Sequence, residues 1–392
     1  MSDERLHRDR LVAEAVDRVG SDDFGEPTWQ EGLDLLLEGL RSEARLHELG
    51  VEIAAGEVVN QLANRLGIVE WRHRHPEIAA VGIRGPIVIV GQPRTGTTIL
   101  HDLLALDHSL RAPLTWEVDR PLPPPETATY DTDPRIADVD ATLALSDSLI
   151  PGFTRFHPMG ATLAQECVRI TAGDFRSMIF PIQFRLPTYN RWLLHEADLA
   201  PAYRWHRTFL QHLQSRHPAN QWLLKSPAHL WHLEALVGAY PDAVIVQTHR
   251  DPLKVIASTS ALAAHLHRMA SDETDLAEIA ADYAEDIFVG LDRGLGARQR
   301  GVVPDDRIVD VHFSVFVDDP IATVRRIYAA LGRELDDTTE QRMRRFLADN
   351  PGDGGGGGTR YRFADTGLDP DALRARATTY QDHFGVESEP IV

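Results

Sequence analysis

The feature that most constrains the fold is a short apolar run that leads into a glycine-containing turn. Residues 87–90 read Ile-Val-Ile-Val between a Gly-Pro pair and Gly91, and apolar residues resume at helical spacing from Ile99. A continuous β-branched run of this length is typical of a strand buried on both faces in the middle of a parallel sheet. The pattern predicts a strand, a turn over residues 91–98 and a helix, which together form the first half of a βαβ unit.

The same alternation of strand and helix returns further along the chain. Residues 222–224, 243–248 and 308–311 have the composition of three more short strands, and each precedes a helical pattern. Strands alternating with helices indicate an α/β fold with an open parallel sheet flanked by helices. Such sheets bind ligands at the carboxyl ends of their strands.

The remaining regions are helical in pattern. Apolar residues recur at helical spacing from Leu6 to about Glu77, so we expect residues 1–84 to form a helical N-terminal region packed on the core. The α/β domain then covers residues 85–392. Within it, residues 135–214 are helical in pattern and rich in aromatic side chains, and we expect this insertion to form a cap over the ligand pocket.

Charge and cysteine content exclude several classes of protein. The 392 residues include 40 Lys and Arg against 59 Asp and Glu, which gives a formal net charge of −19. Nucleic-acid binding requires a broad basic field, so no nucleic-acid partner is expected. The chain has no run of about 18 apolar residues and only one cysteine, so we expect a cytoplasmic protein with no integral membrane association. The sequence leaves the oligomeric state open.

The turn after the first strand has the composition of an anion-binding loop. Residues 91–98 fit the spacing G-x-x-x-x-G, in which a turning backbone and the start of a helix surround a phosphate. Thr97 occupies the position that carries lysine in ATPases and kinases, and the cation of the loop is Arg94 instead. Because that lysine contacts the transferred phosphate, its absence disfavours Mg²⁺-dependent phosphoryl transfer.

Two motifs resemble those of the sulfotransferases that use 3′-phosphoadenylyl sulfate. The sequence Pro-Arg-Thr-Gly-Thr-Thr at residues 93–98 is similar to the phosphosulfate-binding loop of that family. Arg250 follows the third predicted strand and Ser258 lies eight residues later, which is similar to the pair that binds the 3′-phosphate in the family. The resemblance extends to Arg360 and Arg362, in the segment where the family's C-terminal basic residues close over the nucleotide.

The resemblance implies a P-loop-type fold, 3′-phosphoadenylyl sulfate as the donor and adenosine 3′,5′-bisphosphate as the product. It also implies that no metal is required, since side-chain cations stabilise the developing charge. The residues that it implies for donor binding are Arg94, Thr95, Gly96, Thr97, Thr98, Arg250, Ser258, Arg360 and Arg362.

The resemblance also indicates which groups carry the chemistry. Arg94 and Lys225, at the end of the second predicted strand, are the cations expected to stabilise the leaving group. Glu117 and His229 compete for the role of general base. Glu117 follows the phosphate-loop helix, where some sulfotransferases have a catalytic glutamate, and we rank it first. His229 lies four residues after Lys225, whereas cytosolic sulfotransferases have their histidine two residues after the lysine.

Together these features predict a sulfotransferase that moves the sulfuryl group of its donor to the hydroxyl of a small-molecule or lipid-like acceptor by in-line displacement. Two alternatives remain open on the sequence alone. One is a P-loop phosphotransferase or nucleotide kinase, and the other is a non-catalytic nucleotide-binding relative.

Overall fold

The structure is a computed structural model that describes residues 4–149, 160–350 and 362–391, and these residues contain a four-stranded parallel sheet. Its strands are β1 (Ile87–Gly91), β2 (Leu223–Lys225), β3 (Val244–His249) and β4 (Ile308–His312). The four predicted strands are confirmed, each within one residue at either end. The predicted α/β fold class is confirmed with them.

The strand order places β1 and β3 side by side in the middle of the sheet. The order is β2-β1-β3-β4, and every neighbouring pair is parallel. The chain passes from β1 outward to β2 and then returns past β1 to β3, so the strand order reverses between β1 and β3. Open α/β sheets bind ligands beside such a reversal, at the carboxyl ends of the strands.

Helices make up most of the rest of the described chain. The α-helices are α1 (Arg8–Val19), α2 (Trp29–Ser42), α3 (Glu48–Arg74), α4 (Thr97–Ala105), α5 (Thr115–Asp119), α6 (Pro134–Leu149), α7 (Cys167–Thr171), α8 (Ile179–Gln183), α9 (Pro187–His195), α10 (Ala200–Gln214), α11 (Leu233–Ala239), α12 (Pro252–His267), α13 (Leu276–Gln299), α14 (Phe313–Asp318), α15 (Pro320–Ala330), α16 (Asp337–Asp349) and α17 (Pro370–Phe384). Short 3-10 helices cover Glu4–Leu6, Pro76–Ala80, Thr127–Thr132, Ala172–Asp174, Pro227–His232, Asp305–Arg307 and Phe363–Thr366. Across the described ranges, none of these helices combines the length and the apolar composition that a bilayer crossing requires.

The chain divides into two compact units. The helical unit comprises Met1–Ile83, Pro113–Ala219 and Ala263–Asp275, and the sheet unit comprises Arg84–Ala112, Asn220–Leu262 and Leu276–Val392. The helical character predicted for residues 1–84 is confirmed by α1 to α3, and that of residues 135–214 by α6 to α10 where the chain is described. The predicted domain boundary after residue 84, and the covering role of residues 135–214, stay predictions.

A buried ion pair organises the helical unit. The side chains of Arg65, on α3, and Asp174 are almost fully buried, and their charged groups lie 3.1 Å apart. The guanidinium of Arg65 also donates to the carbonyl oxygens of Phe24 and Gly173 and lies 4.6 Å from the ring centroid of Trp205. Because loss of one partner would leave a buried charge uncompensated, this pair ties α3 firmly to the segment around Asp174.

Apolar side chains from four helices, α4, α14, α15 and α16, pack on the sheet. Ile87 and Ile89 on β1 share a core cluster with Leu100, Leu103 and Leu104 on α4, and residues of α14, α15 and α16 complete the cluster. Burial of these side chains holds α4 against the sheet. The first turn of α4 is thereby fixed at the carboxyl end of β1.

Gly91 ends β1 in a conformation that only glycine adopts without strain. Its φ angle is +140°. A Cβ atom at this position would lie 2.1 Å from Oγ1 of Thr248 and 2.7 Å from its carbonyl oxygen. A side chain here would therefore push β1 away from β3 at the reversal in strand order.

Replacing Gly91 with alanine is expected to lower the free energy of unfolding by more than about 2 kcal/mol, because the change adds both a clash and backbone strain. Denaturant unfolding measures the effect. Gly238→Ala is the matched control, since Gly238 is exposed near the end of α11 and its Cβ would meet nothing within 4 Å. Equal stability of the two variants would contradict the close approach of β1 and β3.

Candidate active site

The loop after β1 leads directly into the start of α4. Gly96 is the N-cap residue, with a φ angle of +86°, and α4 begins at Thr97. Arg94 also has a positive φ angle, of +64°. The first backbone N–H groups of a helix have no partner within the helix, and they carry the positive end of the helix dipole. A glycine N-cap has no side chain to cover them, so this loop is suited to an anion.

Thr95 shapes the loop through its side chain. It is 1% exposed, and its hydroxyl donates to the carbonyl oxygen of Gln92 at 2.6 Å. The same hydroxyl lies 2.6 Å from Oγ1 of Thr248 at the end of β3. The Thr95 hydroxyl has two partners inside the protein. Thr95 would therefore contact an anion through its backbone N–H and not through its hydroxyl.

The two separate arginine motifs meet in the sheet unit. Nε of Arg94 donates to Oγ of Ser258 on α12 at 3.0 Å. Nη1 of Arg250, the residue after β3, donates to the carbonyl oxygen of Arg94 at 2.9 Å. The loop after β1 and the loop after β3 are thus joined by two direct hydrogen bonds, although their sequences lie more than 150 positions apart.

Arg250 is held by three kinds of contact. Its Nε and Nη2 donate to the two carboxylate oxygens of Glu389 at 2.8 and 3.0 Å. Its guanidinium lies 3.9 Å from the ring centroid of Phe313, the first residue of α14. With Nη1 bound to Arg94, the plane and direction of the guanidinium are fixed.

Lys225 brings a second cation to the start of α4. It is the last residue of β2, is 1% exposed, and its Nζ lies 3.2 Å from Oγ1 of Thr98. A buried ammonium group is costly unless polar groups or an anion surround it. The position of Lys225 beside the first turn of α4 therefore suits an anion bound at that turn.

A chain of hydrogen-bonded polar groups lies beside Arg250. His249 is 1% exposed, its Nδ1 lies 2.9 Å from the Tyr380 hydroxyl, and its Nε2 lies 2.9 Å from Oδ1 of Asp310. Both carboxylate oxygens of Asp310 also accept hydrogen bonds from Arg298. The Tyr380 hydroxyl makes a further hydrogen bond with the backbone of Arg250.

The protonation states of this chain of groups follow from burial and pairing. Burial lowers the pKa of the His249 imidazole, so the ring is neutral near pH 7. Burial alone would raise the pKa of Asp310, but hydrogen bonds from His249 and Arg298 hold it well below its usual range. Burial raises the pKa of Tyr380. We infer that Tyr380 donates to Nδ1 of His249, which in turn donates through Nε2 to the Asp310 carboxylate.

His229 and the C-terminal arginines complete the residues predicted for this unit. His229 is 2% exposed and lies in the 3-10 helix Pro227–His232 that follows β2. Arg362 is exposed and forms an ion pair of 2.7 Å with Asp365, three residues later. Arg360 lies outside the described residues. The structure thus brings Arg94, Lys225, Arg250 and Ser258 to the carboxyl edge of the sheet, whereas Arg362 is engaged locally.

Glu117 belongs to the helical unit, where it is fully buried at the start of α5. Its Oε2 accepts a hydrogen bond of 2.8 Å from the backbone N–H of Leu114 and one of 3.0 Å from the Tyr130 hydroxyl. The first of these contacts is half of a capping box, which stabilises the helix start. Glu117 therefore has a structural role within its own unit.

Phe313, Glu389 and the His249 chain of contacts were missed by the sequence reasoning. Phe313 could have been found, because it is an aromatic residue directly after β4, at the edge of the sheet where ligands are expected. Glu389 had none, because an acidic residue near the end of an acidic chain is unremarkable. The partner of His249 is Tyr380, more than 130 positions away, and no local pattern links the two.

An open parallel sheet with a cation-bearing loop at the start of a helix defines a P-loop-type protein. The family model described as "Sulfotransferase family" matches residues 86–337 of the chain. Because the match covers more than half of the sequence, the chain belongs to the sulfotransferase family and is an enzyme of that class. The predicted family, fold and enzyme class are confirmed, and the alternatives of a kinase and of a non-catalytic relative are set aside.

Three relatives illustrate how far the similarity extends. Sulfotransferase STF9 of Mycobacterium avium has a TM-score of 0.89 and 30% identity over 99% of each chain. Sulfotransferase STF1 of Mycobacterium tuberculosis has a TM-score of 0.83 and 32% identity over 94% of this chain and 98% of that one. The omega-hydroxy-beta-dihydromenaquinone-9 sulfotransferase Stf3 of Mycobacterium bovis is 27% identical over 269 residues, which are 68% of this chain and 67% of that protein.

Replacing Tyr380 with phenylalanine is expected to lower the free energy of unfolding by about 1 to 2 kcal/mol, because it removes a donor to buried His249. Urea unfolding measures the change. The slope of the unfolding free energy against urea concentration should match that of the natural protein, because unfolding exposes the same amount of surface. A change below about 0.5 kcal/mol would contradict the assignment of Tyr380 as a buried hydrogen-bond donor.

Proposed function

We propose that the enzyme transfers the sulfuryl group of 3′-phosphoadenylyl sulfate to the hydroxyl of a lipid-like or other small acceptor, and releases adenosine 3′,5′-bisphosphate. The observation that carries this proposal is the direct contact between the two arginine motifs. A donor with one anionic group at its 5′ end and another at its 3′ end requires two neighbouring cationic sites. Arg94 and Arg250 supply these at the ends of adjacent strands β1 and β3.

The fit of the 5′-phosphosulfate rests on the start of α4. The backbone N–H groups of Thr97 and Thr98 begin a helix. Arg94 precedes Thr97 by three residues, and Nζ of Lys225 lies 3.2 Å from Oγ1 of Thr98. Thr95 and Gly96 would contribute through the backbone, since the Thr95 hydroxyl is engaged within the protein. A helix start with two cations is suited to a doubly charged group.

The fit of the 3′-phosphate rests on Arg250 and Ser258. The guanidinium of Arg250 is oriented by Phe313 and by the Arg94 carbonyl oxygen, and Ser258 lies within hydrogen-bonding distance of Arg94. A planar guanidinium that presents two N–H groups side by side is a good receptor for a phosphomonoester. Arg362 and Arg360 stay candidates for a further contact with this phosphate.

The donor supplies a sulfuryl group bound to a good leaving group. A bond forms between the acceptor oxygen and sulfur, the bond between sulfur and the bridging phosphate oxygen breaks, and the acceptor proton passes to a base. Arg94 and Lys225 stabilise the negative charge that develops on the leaving phosphate. These fixed cations supply the electrostatic stabilisation that the reaction needs, so we propose a metal-independent reaction.

For the base we keep Glu117 ahead of His229. A buried carboxylate held by the Leu114 N–H and the Tyr130 hydroxyl has a fixed orientation. A positioned carboxylate of this kind is a suitable proton acceptor. His229, which follows Lys225 on the short 3-10 helix, is the alternative.

The acceptor class follows from charge and from the relatives. Stf3 is named for a hydroxylated dihydromenaquinone, which is a lipid-like alcohol. The net charge of −19 on this chain would repel a polyanionic acceptor. We therefore propose a neutral hydroxyl compound with an apolar body. The lone cysteine, Cys167, is a buried free thiol, which agrees with a proposed site of action in a bacterial cytoplasm.

Calorimetry with nucleotides tests the donor site. Adenosine 3′,5′-bisphosphate should bind without Mg²⁺, and Arg250→Ala should weaken that binding by about 10- to 100-fold, because a charge-assisted bidentate contact is lost. Binding of adenosine 5′-phosphosulfate, which lacks the 3′-phosphate, should change little. Arg344→Ala is the control, since Arg344 is an exposed residue of α16 paired with Glu340. Equal losses for both nucleotides would remove Arg250 from the 3′-phosphate site.

Glu117→Gln tests the base. The amide keeps an oxygen that can accept from Leu114 and Tyr130, so the fold and the nucleotide affinity should be retained. Sulfuryl transfer from radiolabelled donor should fall by about 100-fold or more, which is the usual scale for loss of a general base. If transfer persists in Glu117→Gln and is lost in His229→Gln, the base is His229 and our ranking is wrong.

A further inference from the structure

The residue proposed to bind the 3′-phosphate already holds an anion from its own chain. The Glu389 carboxylate accepts from Nε and Nη2 of Arg250 at 2.8 and 3.0 Å, which is the two-point contact that a phosphate oxygen pair would make. Nη1 of Arg250 is engaged by the carbonyl oxygen of Arg94. The Nε and Nη2 edge of the guanidinium is thus the edge that faces an anionic group.

The backbone of Glu389 is anchored independently of this ion pair. Its N–H donates to Oδ2 of Asp251 at 2.6 Å, and its carbonyl oxygen accepts from Arg374 on α17 at 3.0 Å. Asp251 itself caps α12 by accepting from the N–H of Leu253 at 2.9 Å, and Arg374 forms an ion pair of 2.6 Å with Asp251. The Glu389 side chain can therefore leave Arg250 while its backbone remains in place.

Because the Arg250–Glu389 pair is partly exposed, exchange of the carboxylate for another anion costs little free energy. The side chains of Arg250 and Glu389 are 15% and 32% exposed. A carboxylate at this depth regains water when it rotates away, so the pair contributes much less than a fully buried one. A phosphate dianion bound on the same edge would be repelled by a carboxylate left beside it. The 3′-phosphate and the Glu389 carboxylate therefore exclude one another.

We propose that Glu389 is a specificity-determining residue that competes, within the same chain, for the 3′-phosphate site on Arg250. This inference rests on the proposed function of that site. In the free enzyme the carboxylate neutralises Arg250, and a nucleotide with a 3′-phosphate displaces it. A nucleotide without a 3′-phosphate leaves the ion pair intact. When the bisphosphate product departs, the carboxylate returns to Arg250 and opposes rebinding.

The size of the effect follows from simple competition. The apparent dissociation constant of a 3′-phosphorylated nucleotide rises in proportion to the ratio of paired to unpaired Glu389. A ratio of about ten to one corresponds to a partly exposed bidentate contact of about 1.4 kcal/mol. Removal of the Glu389 charge is therefore expected to tighten binding of the bisphosphate by about tenfold.

The test compares two ligands on two matched variants of the full chain by calorimetry. For Glu389→Gln, the dissociation constant of adenosine 3′,5′-bisphosphate should fall by about tenfold, while that of adenosine 5′-phosphate should stay the same. Glu387→Gln is the control. Glu387 is an exposed residue of the same terminal segment, and its replacement removes the same charge. It should leave both dissociation constants unchanged.

A second variant keeps the test independent of the glutamine substitution. Glu389→Ala removes the carboxylate, keeps the backbone contacts of residue 389 with Asp251 and Arg374, and should also bind the bisphosphate more tightly. Weaker or unchanged bisphosphate binding in both variants would overturn the proposal, and weaker binding would mean that Glu389 orients Arg250 for the nucleotide. The proposal would also be overturned if both nucleotides bound more tightly by the same factor, or if Glu387→Gln had the same effect as Glu389→Gln. Either result would mean that Glu389 acts only through the net charge of the chain.

The outcome separates this inference from the function on which it rests. If the natural protein binds the bisphosphate, and Arg250→Ala abolishes its preference over adenosine 5′-phosphate, the proposed donor site stands whatever Glu389→Gln does. If neither the natural protein nor any variant binds the bisphosphate, the donor site fails and the competition by Glu389 fails with it.

Discussion

The close approach of β1 and β3 at their carboxyl ends is the constraint on which the site depends. Gly91 allows the β1 backbone to reach Thr248 where a side chain would collide with it. The hydroxyls of Thr95, in the loop after β1, and Thr248, at the end of β3, then lie 2.6 Å apart. Only with the strand ends this close can Arg250 reach the carbonyl oxygen of Arg94. The sheet thus converts two distant segments of sequence into one cationic edge.

The carboxyl edge of the sheet is positively charged, although the chain as a whole is negatively charged. The chain carries a formal net charge of −19, yet Arg94, Lys225 and Arg250 converge around the start of α4 and the end of β3. Phe313 and the Arg94 carbonyl oxygen fix the direction of Arg250 before any ligand arrives. Arg94 and Lys225 donate hydrogen bonds to the hydroxyls of Ser258 and Thr98. Such preorganisation is the larger part of how an enzyme stabilises developing charge. In the free protein Glu389 balances part of the positive charge at this edge.

Local pattern was sufficient to predict the sheet and the turn from β1 into α4. The β-branched runs at β1, β3 and β4 are short and bounded by turn residues, so their ends fall within one residue of prediction. The contacts of Glu389 and Tyr380 could not be predicted, because each joins positions more than 130 residues apart and depends on where α17 and the terminal segment dock. The engagement of the Thr95 hydroxyl was hidden for the same reason, since its partner Thr248 comes from another strand.

The group that Arg250 binds in the nucleotide complex is the most direct test of the donor site. A crystal structure with adenosine 3′,5′-bisphosphate measures this. We predict the 3′-phosphate on the Nε and Nη2 edge of Arg250, the 5′-phosphate at the first turn of α4 near Arg94 and Lys225, and the Glu389 carboxylate turned away from Arg250. A bisphosphate bound away from α4, or a Glu389 carboxylate still paired with Arg250 beside a bound 3′-phosphate, would contradict the account.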